Sequence, residues 1–189
     1  MDPIEQFQAW YLQAKQTEVE PERMALATAS KDGMPSVRMV LLKQVDERGF
    51  VFFTNLNSLK AKHLAENPQA ALCFYWSNPQ RQIRAQGVVE RVSEQEADHY
   101  FSTRPRGSQI GTWASLQSQP LTDYQQLLQR VADYTEKFAD QVIPRPAFWS
   151  GFRLKPNRIE FWEAGEHRLH TRVAYQFNDH NWQMELLFP

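Results

Sequence analysis

Met24-Ala25-Leu26-Ala27-Thr28-Ala29, Ser36-Val37-Arg38-Met39-Val40-Leu41-Leu42 and Phe50-Val51-Phe52-Phe53-Thr54 are the stretches that decide the fold. Each is a short, mainly apolar run. Lys31-Asp32-Gly33 separates the first two, and Asp46-Glu47-Arg48-Gly49 precedes the third. Runs of this length bounded by Asp and Gly read as strands joined by turns, so three antiparallel strands are expected in sequence. The third lacks polar alternation, which predicts a strand covered on both faces.

Outward from this hairpin region, residues 70–76 and 81–92 read as strands around an Asn78-Pro79 turn. The C-terminal portion, 148–189, supplies strands at 151–155, 158–163, 168–177 and 182–187, with Asn178-Asp179-His180-Asn181 as a hairpin turn. Helices fall between them. Asp2-Pro3-Ile4-Glu5 places a capping side chain and a first-turn proline ahead of an amphipathic helix over 2–16. A second helix covers 58–65 and ends before Asn67-Pro68. Ser93-Glu94-Gln95-Glu96 is a capping box opening a helix that carries Tyr100 and Phe101. Residues 103–118 read as a polar segment, and 122–139 as the longest helix, with Tyr124, Leu127, Leu128, Val131, Tyr134 and Phe138 on one side. Many strands with short turns and no regular βαβ alternation predict one domain over 1–189, mainly β with added helices (α+β): an antiparallel barrel with peripheral helices.

Composition narrows the chemistry. The chain has 189 residues with 21 Lys+Arg against 22 Asp+Glu, a net charge of −1 that argues against a nucleic-acid partner. Cys73 is the single cysteine, so an internal disulfide framework and multi-Cys metal sites are excluded. The start of the chain lacks the pattern of a secretory leader, and no apolar run approaches the ~20 residues of a membrane span. A cytoplasmic protein with no membrane partner is expected. The five histidines show no H-E-x-x-H spacing, and no metal is expected. G-x-G-x-x-G, P-loop and G-x-S-x-G motifs are also missing.

Three clusters of donors stand out. In Arg168-Leu169-His170-Thr171-Arg172, strand periodicity would align Arg168, His170 and Arg172 on one face, either against an anionic or electron-rich ligand or as a solvated edge. Tyr100, Arg104, Arg106 and Ser108 gather the donor types that hold a phosphate, unless they form an ordinary polar loop. Arg38 and Lys43 bracket an apolar strand, a weak signal alone. Cys73 reads as a small core residue.

Together these stretches resemble the pyridoxamine 5′-phosphate oxidase family. The resemblance rests on Arg38-Met39-Val40-Leu41-Leu42-Lys43, Thr54-Asn55-Leu56, Ser58 with Lys60, Arg104-Pro105-Arg106 with Ser108-Gln109-Ile110-Gly111, Gln117-Ser118, Phe148-Trp149, Ile159-Glu160-Phe161-Trp162 and Gly165-Glu166-His167-Arg168-Leu169-His170, in family order along nearly the whole chain. It implies an FMN-binding split β-barrel of antiparallel Greek-key type and a homodimer with FMN sites at the subunit interface. The implied reaction oxidises pyridoxamine or pyridoxine 5′-phosphate with oxygen, giving pyridoxal 5′-phosphate and hydrogen peroxide in vitamin B6 metabolism. By the same resemblance Arg38, Lys60, Gln117 and Ser118 would hold the FMN phosphate and ribityl chain. Met39, Val40, Leu41, Leu42, Lys43, Phe53, Thr54, Gln82, Trp162 and Arg172 would surround the rest of the cofactor. Lys43, Tyr100, Arg104 and Ser108 would grip the substrate phosphate, and Arg168 and His170, as the catalytic pair, would lie over the pyridine ring. The phosphate handle would set the substrate C4′ carbon near flavin N5, so that hydride leaves without a dedicated strong base.

Four positions depart from the family pattern: Leu59 replaces an arginine before Lys60, Phe53 a tyrosine, Thr171 an aspartate and Leu186 an arginine. Losing one charge-assisted bond to a phosphate would cost about 1.5–3 kcal/mol, or about ten- to hundredfold in affinity. Family members commonly carry a longer N-terminal segment that folds over the substrate, whereas this sequence starts at the first helix. Two other readings are a split-barrel flavin oxidase with a phenazine-type substrate, and a flavin- or pyridoxal-phosphate-binding protein with weakened activity.

Overall fold

The computed structural model describes residues 2–189. Helix α1 (Pro3–Thr17) starts where expected: the Asp2 carboxylate accepts from the Ile4 amide at 2.7 Å, and proline occupies the first turn, where no amide is needed. Strands β1 (Arg23–Ala29) and β2 (Pro35–Leu41) form the first hairpin, in register Leu26 to Arg38. A three-residue strand that the sequence reading did not anticipate, β3 (Gln44–Asp46), follows. It pairs with β4 (Gly49–Asn55), so the expected three-strand succession is corrected: β4 pairs β3 and β7, not β2. As predicted from its unbroken apolar run, β4 is buried almost throughout.

After α2 (Leu59–Glu66), β5 (Gln69–Ser77) and β6 (Gln80–Arg91) make a long hairpin, and α3 (Glu94–Thr103) opens on the predicted Ser93/Glu96 capping box. The segment read as polar contains a helix, α4 (Arg106–Ala114). Helix α5 is Tyr124–Lys137, within the predicted 122–139 but shorter than α1 by one residue, 14 against 15, so it is not the longest. No residue of α5 is buried; of its apolar side, Val131 and Tyr134 pack against Phe138 and its neighbours, while Tyr124 and Leu128 face solvent.

The two strands expected at 151–155 and 158–163 are one, β7 (Trp149–Glu163). Pro156 does not break it because the register shifts at Gln86/Gly87 on β6; a Cβ at Gly87 would lie 2.0 Å from the Lys155 carbonyl oxygen, an approach only glycine permits. With β6 along one edge, β7 gives its first half to β4 and its second half to β8 (Thr171–Asn178). Strand β9 (Asn181–Leu186) completes the C-terminal hairpin, and Asp179 and His180 both adopt the positive φ a two-residue turn requires.

The described residues thus form a nine-stranded antiparallel sheet ordered β2-β1-β5-β6-β7-β4-β3, with β8 and β9 off β7. Its end strands β2 and β3 are joined through Leu42-Lys43 alone, so the path curls back on itself, as the predicted barrel does. Helix α1 caps the interior with Phe7, fully buried against Phe50 and Phe74 at ring separations of 4.9 and 5.0 Å. Among the described residues no helix is long and apolar enough to cross a membrane.

Candidate functional site

A cavity of about 1020 Å³ opens between the exposed edge of β2, the end of β4, the start of α2 and the α3–α4 turn. Lys60, on the first turn of α2, reaches back into it. Its ammonium donates to Gln117 Oε1 at 2.9 Å, Thr54 Oγ1 at 3.1 Å and Ser58 Oγ at 3.2 Å. Burial, reinforced by the charge of Arg38, pulls its pKa down to about 8. The Arg38 guanidinium donates through Nη1 to the Leu26 carbonyl at 3.0 Å and Thr28 Oγ1 at 2.8 Å, and through Nη2 to Ser36 Oγ at 2.6 Å. All of these acceptors are neutral, so two cations face one cavity without a carboxylate partner. Ser118, held in the left-handed region at φ 69°, accepts from the Leu59 amide at 3.3 Å. Cations, hydroxyls and a helix start converging in a partly dry recess are what a phosphate needs.

A second group of donors lines the same cavity. Arg104 lies over the Trp149 ring at 4.8 Å and donates to Thr112 Oγ1 at 2.6 Å; burial lowers its pKa. Tyr100 stacks on Phe53 at 4.1 Å, and Trp149 lies nearly parallel to both. Phe53 therefore keeps the flat wall that a tyrosine there would give. Ser108 and Thr112, one turn apart on α4, face the cavity together, as do Lys43, Met39, Val40 and Leu41. Leu42 does not: its side chain is buried in the core. Arg106 is also turned away, donating to the Ala139 and Gln141 carbonyls beyond α5, which corrects its reading as a phosphate donor.

Gln82, Trp162, Arg168, His170 and Arg172 lie outside this cavity. Four of them form their own cluster, with Arg168 exposed nearby in sequence: Gln82 pairs with Trp162 across β6–β7, Trp162 with Arg172 across β7–β8, and the His170 ring sits 4.5 Å from Trp162. His170 Nδ1 accepts from the Gly165 amide at 3.2 Å. Arg172 donates to Glu160 Oε1 through Nε at 3.0 Å and Nη2 at 2.8 Å, and to the Phe188 carbonyl at 2.9 Å. The strand-face alignment of Arg168, His170 and Arg172 is corrected: β8 starts at Thr171, and Arg168 lies in a 3₁₀ turn (Glu166–Arg168) with φ 65°. What joins His170 to Arg172 is Trp162, packed from the neighbouring strand.

Two family models cover nearly the whole chain: pyridoxamine 5′-phosphate oxidase over residues 11–138, and pyridoxine 5′-phosphate oxidase C-terminal dimerisation region over 149–189. The chain belongs to the pyridoxamine 5′-phosphate oxidase family. Pyridoxine/pyridoxamine 5′-phosphate oxidase of Myxococcus xanthus (strain DK1622) is 52% identical over 189 residues, covering 100% of this chain and 92% of the relative. Its counterpart from Nostoc sp. (strain PCC 7120) is 50% identical, covering 100% and 89%. Among solved structures, PhzG from Burkholderia lata 383 in complex with tetrahydrophenazine-1-carboxylic acid superposes with a TM-score of 0.95 at 33% identity, covering 100% and 93%. An FMN-binding, pyridoxamine 5′-phosphate oxidase-related protein from Nostoc punctiforme PCC 73102, at TM-score 0.82 and 19% identity over 100% and 99% of the two chains, shares the fold. This oxidoreductase family and its relatives support a flavin cofactor, and the architecture is that of the FMN-binding split barrel.

Against this family background, the residues of the cavity without an assigned role in the sequence include Ser36, Thr112 and Trp149. Thr112 was hidden because α4 was not foreseen; with the helix, its i, i+4 relation to Ser108 would have shown it. Ser36 stands two residues before Arg38 on one strand face, a signal of period two. Trp149 was visible only as part of Phe148-Trp149, with nothing to say what its ring touches.

Proposed function

We propose that the protein is an FMN-dependent oxidase of pyridoxamine and pyridoxine 5′-phosphate, forming pyridoxal 5′-phosphate with oxygen as acceptor. The observation that carries this reading is the pair of donor groups in one cavity, Arg38 with Lys60 and Lys43 with Arg104, which suits two phosphate-bearing ligands side by side. Arg38, Lys60, Gln117 and Ser118 would hold the phosphate end of FMN; Thr54 and the β2 edge would flank its chain and ring. Lys43, Tyr100, Arg104 and Ser108 would grip the substrate phosphate. FMN supplies a two-electron acceptor that oxygen can restore, with hydrogen peroxide as the second product. The residues of the chain bind, orient and exclude water.

The cluster of Gln82, Trp162, Arg168, His170 and Arg172 would complete the site from a second copy, in keeping with the match of 149–189 to a dimerisation region. In that arrangement Arg168 and His170 of one protomer would lie over the pyridine ring held by the cavity of the other. A phenazine-type substrate is the second reading, favoured by the 0.95 superposition on PhzG. The test is to load the purified protein with FMN, record its visible spectrum and add pyridoxine 5′-phosphate under air. Bound flavin and peroxide release are expected; a protein that neither takes up FMN nor makes peroxide sinks the proposal. Peroxide from a reduced phenazine carboxylate alone would move the assignment to the second reading.

A further inference from the structure

His63 is a buried, titratable side chain with no part in the assignments above. It lies on α2, one turn after Lys60, with 8% of its surface exposed, between Ala61 and Leu64, which pack into the core. A leucine would fill that position as well, so the imidazole needs a reason. Its Nδ1 stands 3.2 Å from Thr28 Oγ1, and Thr28 Oγ1 in turn accepts from Arg38 Nη1 at 2.8 Å. An arginine only donates, so Thr28 Oγ1 spends a lone pair on Arg38; its own proton can then go to His63 Nδ1 when the imidazole carries its proton on Nε2.

We propose that His63 is a positioning residue for the phosphate end of the cofactor site, acting on Arg38 through the Thr28 hydroxyl. The proposal rests on the FMN reading given above and deepens it. By accepting the Thr28 proton, His63 turns a lone pair of Oγ1 toward Nη1. The Leu26 carbonyl and Ser36 Oγ take a further donor each, on Nη1 and Nη2. Of the five guanidinium donors three are thereby occupied, and Nε–H and one Nη2–H are left for an anion in the cavity. Without the acceptor, the Thr28 hydroxyl would be free to rotate, and the guanidinium would keep two of its three anchors. Arg38 would then lose order in the direction that serves a phosphate, where its charge adds to that of Lys60.

The test compares binding of FMN and of riboflavin, which lacks the phosphate, by flavin fluorescence quenching. The wild-type protein is expected to prefer FMN by more than tenfold. His63→Leu should weaken FMN binding roughly tenfold and leave riboflavin binding unchanged, whereas His63→Asn, whose side-chain oxygen can stand in for Nδ1, should retain most of the FMN affinity. Thr28→Val should reproduce the loss, and His63→Leu added to Thr28→Val should lose nothing more, because both break one chain. Equal losses in His63→Leu and His63→Asn, a loss shared by riboflavin, or additive losses in the double variant would each overturn the proposal. Thr28→Val against Thr28→Ser repeats the comparison without touching α2, should His63→Leu fail to fold. A wild-type protein that does not distinguish FMN from riboflavin would instead remove the FMN reading on which the proposal stands.

Discussion

Burial beside Arg38 leaves Lys60 with a charge that depends on pH well below the ordinary range of a lysine side chain. Its pKa of about 8 belongs to the free cavity; a phosphate would favour the ammonium and raise it. The sign follows. Below about pH 8 the proton is already in place, while above it binding must take up a proton, so affinity falls as pH rises, by up to about tenfold per unit until the pKa of the complex is reached. FMN titrations between pH 7 and 10 should show this fall and riboflavin titrations should not; parallel profiles would detach Lys60 from the phosphate. Leu59, 48% exposed on the cavity wall, offers the opposite experiment. Leu59→Arg adds a donor at that mouth and should tighten FMN binding about tenfold, measured by the same quenching; unchanged affinity would mean that the side chain does not reach the phosphate. The charged residues of the cavity were legible in the sequence because phosphate chemistry restricts residue type. Their holders were not, because Thr28 and His63 meet Arg38 only after β1, β2 and α2 are packed. Arg106 shows the reverse error: the right donor in the right stretch, spent on carbonyls at the end of α5.

At the scale of elements, α1 covers the barrel interior with Ile4, Phe7 and Ala14, Phe7 being the central ring. Phe7 is fully buried against Phe50, Phe74 and Trp76 and stacks on Tyr11 of its own helix. Phe7→Ala should cost about 3–5 kcal/mol, read as a lower denaturation midpoint with unchanged slope. A loss under 1 kcal/mol would mean that α1 is not docked on the barrel. Its boundaries were legible because Asp2 and Pro3 are start signals independent of packing. Strand β3 was not, being three residues long with two of them polar, and supported by tertiary contacts: pairing to β4, Val45 packed on the core and Asp46 paired with Arg153. Helix α4 escaped because Gly107 and Gly111 and a polar surface weaken its propensity; Gln109, Ile110 and Ala114 are its buried residues, and tertiary contact holds it. Pro156 concealed the continuity of β7, which depends on a glycine some seventy positions earlier accepting the close carbonyl.

The molecule as a whole presents two candidate clusters, one in the cavity edged by β2 and one across β6, β7 and β8, with no residue in common. The sequence showed both sets of residues but could not show that one barrel keeps them apart, since that follows from the strand order. A twofold partner can bring the β7–β8 corner of one copy to the β2 edge of the other, and twice over. The consequence can be measured by mixing defects. Arg104→Ala disables the cavity of its own copy, and His170→Ala disables the other cluster; each homodimer should release little peroxide from pyridoxine 5′-phosphate. In a heterodimer purified through two different tags, one site would combine both defects and the other would contain neither. Its rate should therefore recover to about half that of the wild-type dimer, with a wild-type KM at the intact site. If each site were built within one protomer, every site of the heterodimer would carry a defect and the rate would stay at the mean of the two parents. That outcome would return both clusters to a single chain.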